Sequence, residues 1–171
     1  MRRFLVALVA VFFSFNPLSV FAANTASADI INVGGEVIGK ATLQQGPTGV
    51  LINVEVQGLS PGAHAIHMHG VGSCKPDFKA ATGHINPGKS QHGLLNPDGP
   101  DSGDLPNLYV AADGSVKAAF FTARVSLEGG SAPLLDEDGS AFIIHENRDD
   151  HMAQPIGGAG GRVACGVIKA M

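Results

Sequence analysis

The chain has no tryptophan, one tyrosine and only 6% aromatic residues over 171 positions. Basic runs are equally scarce, with none longer than Arg2-Arg3, so nothing marks a nucleic-acid-binding surface. Charged residues make up just 15%, yet 44% hydrophobic content argues against disorder. Cysteine is limited to Cys74 and Cys165. They form no C-x-x-C pair, which removes the usual basis of thiol redox catalysis. No segment shows capped helical periodicity. What the chain does have is Gly 23, Pro 10 and His 7. Glycine and proline at roughly one residue in five suit short strands joined by many turns. The length is that of one domain able to bury a real core.

The first residues read as a leader. A positive start, Met1-Arg2-Arg3, precedes the apolar run Phe4 to Phe15, too short to span a bilayer comfortably. Val20-Phe21-Ala22 has the small-residue ending of a cleavage site. The expectation is a signal peptide over residues 1–22, cut after Ala22 or as late as Ala28, ahead of a domain spanning residues 29–171. The processed chain would have no stable membrane insertion; an uncleaved anchor is the alternative, because apolar character resumes at Leu18 to Ala23. Losing Arg2 and Arg3 leaves nine basic residues against 15 acidic ones, a formal charge near −6. Export also implies an oxidising compartment, where an even cysteine count usually means pairing. A crosslink closing residues 75–164 is worth about 4–5 kcal/mol on the chain-entropy model. Two buried thiols are the other reading.

Beyond the leader the period is that of strands. Val50, Ile52, Val54 and Val56 alternate with Leu51, Asn53, Glu55 and Gln57 between Gly49 and Gly58. Ile30 to Ile38 reads as a first strand with a bulge at Gly34-Gly35. Further candidates are Val116 to Leu127, Ala141 to His145 and Arg162 to Ile168. The pattern predicts an all-β antiparallel sandwich or barrel. Gly70 to Pro106 is different, a long section with almost no strand pattern. Loops of that length in compact domains are functional or disordered, and the histidines inside this one favour function.

His67 and His69 stand two apart, so a strand puts both on one face. That pair alone is a weak metal signal. His145 ends another apolar run, while His84, His92, Asp101 and Asp104 lie in the long section. Five imidazoles and two carboxylates exceed what one tetrahedral zinc needs, so two adjacent metals are expected. An imidazole-rich set without thiolate suits Cu(II), and a mixed His/Asp set suits zinc. A protein that only stores or delivers copper or zinc remains the alternative to an enzyme.

Five segments together resemble a known family. Leu59 to His69 is similar to the copper-site strand of copper/zinc superoxide dismutases, and Gly83-His84-Ile85-Asn86-Pro87 to their bridging-histidine motif. Gly103-Asp104-Leu105-Pro106-Asn107 resembles the end of their zinc loop. His145 to Asp150 and Gly160 to Ile168 resemble their two C-terminal signatures. The leader and Cys74-Lys75-Pro76-Asp77-Phe78 resemble the bacterial, periplasmic branch. Ala65 and Ile66 depart from the glycine and aromatic common before the histidine pair.

The resemblance implies an eight-stranded antiparallel Greek-key β-barrel, an immunoglobulin-like sandwich, with long metal-binding and electrostatic loops. It implies copper on His67, His69, His84 and His145, and zinc on His84, His92, Asp101 and Asp104. Asp101 stands where the family usually has a histidine, so a copper-only enzyme with a degenerate zinc site is a further alternative. It implies catalytic roles for Arg162, which orients the anionic substrate, and His84, shared between the metals. Asp149 would tie His67 to His92, and Cys74 would pair with Cys165. The implied substrate is superoxide, dismuted in the periplasm, by a monomer or a homodimer. His64 is expected to support the copper site without ligating metal, and His151 to be an exposed loop side chain, with a role near the site entrance as the alternative.

Overall fold

The computed structural model describes residues 23–171, so the expected signal peptide lies outside the described residues. Among the described residues there are ten strands: β1 (Thr25–Asn32), β2 (Val37–Gln45), β3 (Val50–Val56), β4 (Gly62–His64), β5 (Ile66–His69), β6 (Leu108–Val110), β7 (Val116–Thr122), β8 (Ala141–His145), β9 (Arg162–Val167) and β10 (Lys169–Ala170). One short 3-10 helix, Phe78–Ala81, interrupts the long loop. Among the described residues no helix is long and apolar enough to cross a membrane.

Only Ala65 separates β4 from β5, and that bent strand closes the structure. Its second half pairs with β8, starting the antiparallel order β5-β8-β9-β1-β2-β3-β7. Its first half pairs with β6, which lies against β7 at the other end of that order. Counting the bent strand once, and β10 as a short addition beside β1, gives eight barrel strands. The connections from β3 to β4 and from β7 to β8 each pass over two strands, the non-local return of a Greek key.

Alternation decides which side chains enter the core. In β3 the residues Val50, Ile52, Val54 and Val56 are buried and their neighbours exposed, as the period-two reading requires. β8 is buried on both faces. Phe142 and Ile144 join the main barrel core with Ile66 and Met68, whereas Ala141 and Ile143 pack outside the barrel wall with Phe78 and the cysteines. Ile66 and Met68 point inward, so His67 and His69 face the outer surface of the wall, beneath the long loop.

One local expectation is corrected. Gly34-Gly35 is not a bulge within a first strand but the turn of the β1–β2 hairpin. Asn32 Oδ1 accepts from the backbone N–H groups of Gly34 and Glu36, and Gly35 sits at φ +83°, a conformation that suits glycine. The register does slip nearby, from Ile30↔Gly39 to Ile31↔Val37, which leaves Ile38 as the extra residue. Cys74 and Cys165 form a disulfide with Cα atoms 5.9 Å apart, in line with the pairing expected of an exported chain.

Candidate metal centre

β5 brings His67 and His69 to the outer wall, β8 ends there with His145, and the long loop lays His84 across them through a bridge with His69. One ligand-capable atom from each of these four residues lies within 4.8 Å of all the others. Each ring spends its second nitrogen. His67 Nε2 is 2.9 Å from Asp149 Oδ2, His69 Nδ1 is 2.8 Å from the Thr82 carbonyl, His84 Nδ1 is 2.9 Å from Asp101 Oδ2, and His145 Nδ1 is 3.2 Å from the Gly160 carbonyl. The remaining nitrogens, His67 Nδ1, His69 Nε2, His84 Nε2 and His145 Nε2, are buried without a partner. Donating from one ring nitrogen leaves a lone pair on the other, the state a metal ligand needs. Burial, with nearby His84, pushes His69 down to about 2; burial, with nearby His67, pushes His145 down to about 3. Both rings are thus neutral at ordinary pH. Burial lowers His67 as well, so three buried lone pairs converge. Burial opposes charge on His84 too, but hydrogen bonds to Asp101 and Asp104 outweigh it and raise that ring. His84 completes a four-nitrogen set that fits a copper ion once its proton leaves.

A second group, His84, His92, Asp101 and Asp104, also draws within 4.8 Å. His84 Nδ1 lies 2.9 Å from Asp101 Oδ2 and 3.5 Å from Asp104 Oδ1, and His92 Nδ1 lies 2.7 Å from Asp104 Oδ1 and 4.0 Å from Asp101 Oδ2. Ligands about 2.0–2.1 Å from a tetrahedral zinc are about 3.3 Å from one another, so these edges bracket the required length. Burial opposes charge on His92, but hydrogen bonds to Asp104 and Asp149 outweigh it and raise the ring to about 10. In the metal-free chain protons therefore occupy the space between ring and carboxylate. Asp104 is held well below the usual carboxylate range: burial alone would raise it, and hydrogen bonds with His84 and His92 overcome that.

Asp149 joins the two groups. Besides His67, its carboxylate meets His92 Nε2 at 3.1 Å through Oδ1. Asn107 clamps it from the barrel side, donating to the Asp149 carbonyl and accepting from the Asp149 N–H, both at 2.8 Å. Gly157 is required alongside, because a Cβ there would sit 1.7 Å from Asp149 Oδ1 and the backbone is at φ +61°. Sequence reasoning gave Asn107 no role. His151 was expected to be exposed, but it is partly buried, with Nε2 3.1 Å from Asn107 Nδ2 and Nδ1 3.3 Å from Asp149 Oδ2. His64 has Nδ1 2.7 Å from the His145 carbonyl and Nε2 2.8 Å from the Ser60 carbonyl, and it belongs to neither group.

The register of β8 and β9 shifts between Ile144 and His145, so His145 pairs with Arg162 and Val163 is left over. That bulge aims Arg162 at the metal side. Its guanidinium donates to the carbonyls of Phe78 and Thr82, and Thr82 is the same carbonyl that receives His69. Arg162 also lines an open cleft of about 730 Å³, together with Lys75, Lys79 and Asp77.

Known proteins are similar over most of the chain. Residues 37–168 match the family described as copper/zinc superoxide dismutase. The chain belongs to the copper/zinc superoxide dismutase family. It is 53% identical to a superoxide dismutase [Cu-Zn] of Caulobacter vibrioides over 79% of this chain and 80% of that one. It is 47% identical to superoxide dismutase [Cu-Zn] 1 of Aquifex aeolicus over 95% and 96%. Among solved structures, a SOD-like protein from Bacillus subtilis matches at TM-score 0.79 and 39% identity, covering 82% of this chain and 96% of that one. The Cu/Zn superoxide dismutase from Brucella abortus matches at TM-score 0.71 and 28% identity, covering 85% and 99%. Copper/zinc superoxide dismutase family members therefore share the barrel as well as the sequence.

Proposed function

We propose that the chain is a superoxide dismutase that uses copper and zinc, converting two superoxide anions and two protons to dioxygen and hydrogen peroxide. The observation that carries the reading is the set of four unpartnered, buried imidazole nitrogens converging beside a guanidinium. His67 Nδ1, His69 Nε2, His84 Nε2 and His145 Nε2 would hold copper. His84 Nδ1, His92 Nδ1, Asp101 Oδ2 and Asp104 Oδ1 would hold zinc. Bound copper supplies a one-electron couple that superoxide can both reduce and oxidise, and bound zinc supplies a fixed positive charge.

The chain's own residues do the remainder. Arg162, tied by two backbone carbonyls, offers a fixed positive charge to a small anion. Lys75 and Lys79 along the same cleft add to the local field, against a negative net charge. His84 offers Nε2 to one group and Nδ1 to the other. With Nδ1 engaged, Nε2 is the atom able to take a proton and pass it to the reduced product. Asp149 holds His67 and His92 in the tautomers that leave their other nitrogens for metal. No specific observation favours a copper-only enzyme, since the ring–carboxylate edges of the second group bracket the tetrahedral length.

Export to the periplasm completes the reading, with the signal peptide cut after Ala22. Ala26 and Ala28 are core residues of β1, so a cut as late as Ala28 would remove half of a barrel strand. Metal analysis joined to a superoxide-dismutation assay on the mature, oxidised chain tests the function. Arg162→Glu should keep both metals and lose roughly tenfold or more in rate, with a weakened salt dependence. Full activity in a copper-free preparation would overturn the assignment.

A further inference from the structure

One polar side chain at the surface is spent on the main chain of a zinc-group histidine. Gln154 lies in the irregular segment between β8 and β9, 62 residues along the chain from His92. Its Oε1 accepts from the His92 N–H at 3.1 Å, and its Nε2 donates to the His92 carbonyl at 2.8 Å. Nε2 also donates to the Met152 carbonyl at 3.2 Å. These partners fix the amide's orientation: turned over, the oxygen would meet two carbonyls and the nitrogen would face an N–H. Gln154 thus engages both main-chain groups of His92 as a neighbouring antiparallel strand would, although neither residue belongs to a strand.

The close approach is built in on both sides. Gly93 sits at φ +119°, and a Cβ there would lie 2.3 Å from the His151 carbonyl oxygen. That carbonyl accepts from the Leu95 N–H at 3.1 Å. Asp150 Oδ1 accepts from the N–H groups of Met152 and Ala153, both at 2.8 Å, which sets the turn that carries Gln154. Five residues before Gln154, Asp149 meets His92 at the other end, through Nε2 of the ring. One short segment therefore grips His92 by ring and by main chain, and leaves Nδ1 to face Asp104 and Asp101. A ring tethered at Nε2 alone can still swing about that bond. We propose that Gln154 is a positioning residue for the second metal site, fixing the main chain of His92 so that Nδ1 is already placed for zinc. The proposal rests on the zinc reading given above. The clamp removes conformational freedom that the ion would otherwise have to remove on binding.

The rival role is space filling, in which only the bulk of the side chain matters. Gln154→Met keeps the bulk and loses every bond. Gln154→Glu keeps the bulk and the acceptor, but sets an oxygen against two carbonyls. Gln154 is exposed, so both variants should fold. Zinc and cobalt(II) content of the wild-type chain is measured first. A chain that takes up neither overturns the zinc reading, and amide exchange in the metal-free chain still decides the clamp itself. There, Gln154→Met should speed hydrogen exchange at the His92 amide roughly five- to tenfold, the net worth of one hydrogen bond. Both variants should lower zinc retention under chelator challenge by about 10–100-fold and leave copper retention near that of the wild type. Both should also shift the visible bands of bound cobalt(II), which follow the geometry of the site. Wild-type zinc retention with an unchanged cobalt(II) spectrum in both variants would overturn the proposal. So would an unchanged exchange rate at His92, or an equal loss of both metals, which would mark a general loosening of the fold.

Discussion

The two ligand groups share His84 but are held by different kinds of structure. His67, His69 and His145 stand on paired strands, and sheet register spaces them whether or not metal is present. His84, His92, Asp101 and Asp104 stand on a loop that holds itself through ring–carboxylate contacts. The strand group presents three lone pairs with nothing between them. In the loop group, protons fill the place of the ion. The first group is therefore preformed, while the second exchanges one set of cations for another.

The sharpest break of this comparison is His69→Ala. Losing one of four ligands should cost more than the roughly 10–100-fold in metal affinity that follows loss of a supporting partner. Activity should fall with copper content, while zinc content stays near that of the wild type. Metal analysis showing both metals lost equally would mean that the groups are not separable.

Asp101→Ala cuts the other way. Zinc retention under chelator challenge should fall by at least the roughly 10–100-fold that follows loss of a supporting partner, with faster hydrogen exchange across the Gly70 to Pro106 segment. Copper retention should change much less. Zinc held as tightly as in the wild type would remove Asp101 from the ligand set.

The smallest expected effect is the pH profile of the metal-free chain, and it sharpens the contrast by its two limbs. His69 and His145 are pushed down to about 2 and about 3, so below about 6.5 the unfolded chain binds more protons than the folded one. Their stability is present above about 6.5 and lost as pH falls towards about 3. His92 is raised to about 10, so its contribution is full below about 6.5 and lost as pH rises through about 10. Thermal midpoints should fall on both sides of neutrality, with His92→Gln flattening only the alkaline limb. A profile flat from about pH 4 to pH 10 would count against both environments.

Much of this was legible in the residues. The alternation from Val50 to Val56 marks a strand buried on one face, and His67 and His69 two apart mark a shared face. The full ligand sets came from resemblance, since periodicity cannot show that a loop folds back 15 to 37 residues to meet a strand. The Gly34-Gly35 pair was misread because a hairpin turn and a bulge make the same demand for a glycine-like backbone, and Ile30 to Ile38 is apolar on both sides of it. Asn107 and His151 gave no sign of these contacts: each is polar, lies outside any periodic run, and finds its partners far along the chain. Alternation reports burial against a sheet, and these two are half-buried against a loop.

The disulfide has a further mechanical consequence. Cys165 lies three residues beyond Arg162 on β9, and Cys74 lies four residues before Phe78, whose carbonyl receives the Arg162 guanidinium. The S–S bond, the short run of β9, the guanidinium bond and the turn from residue 74 to 78 together form a small closed ring. A side chain inside such a ring has its end point fixed by about ten residues rather than by the whole excursion of the long loop. One of the two anchors of the Arg162 guanidinium, the Phe78 carbonyl, is thereby independent of whatever the loop beyond residue 82 is doing while the second site fills or empties.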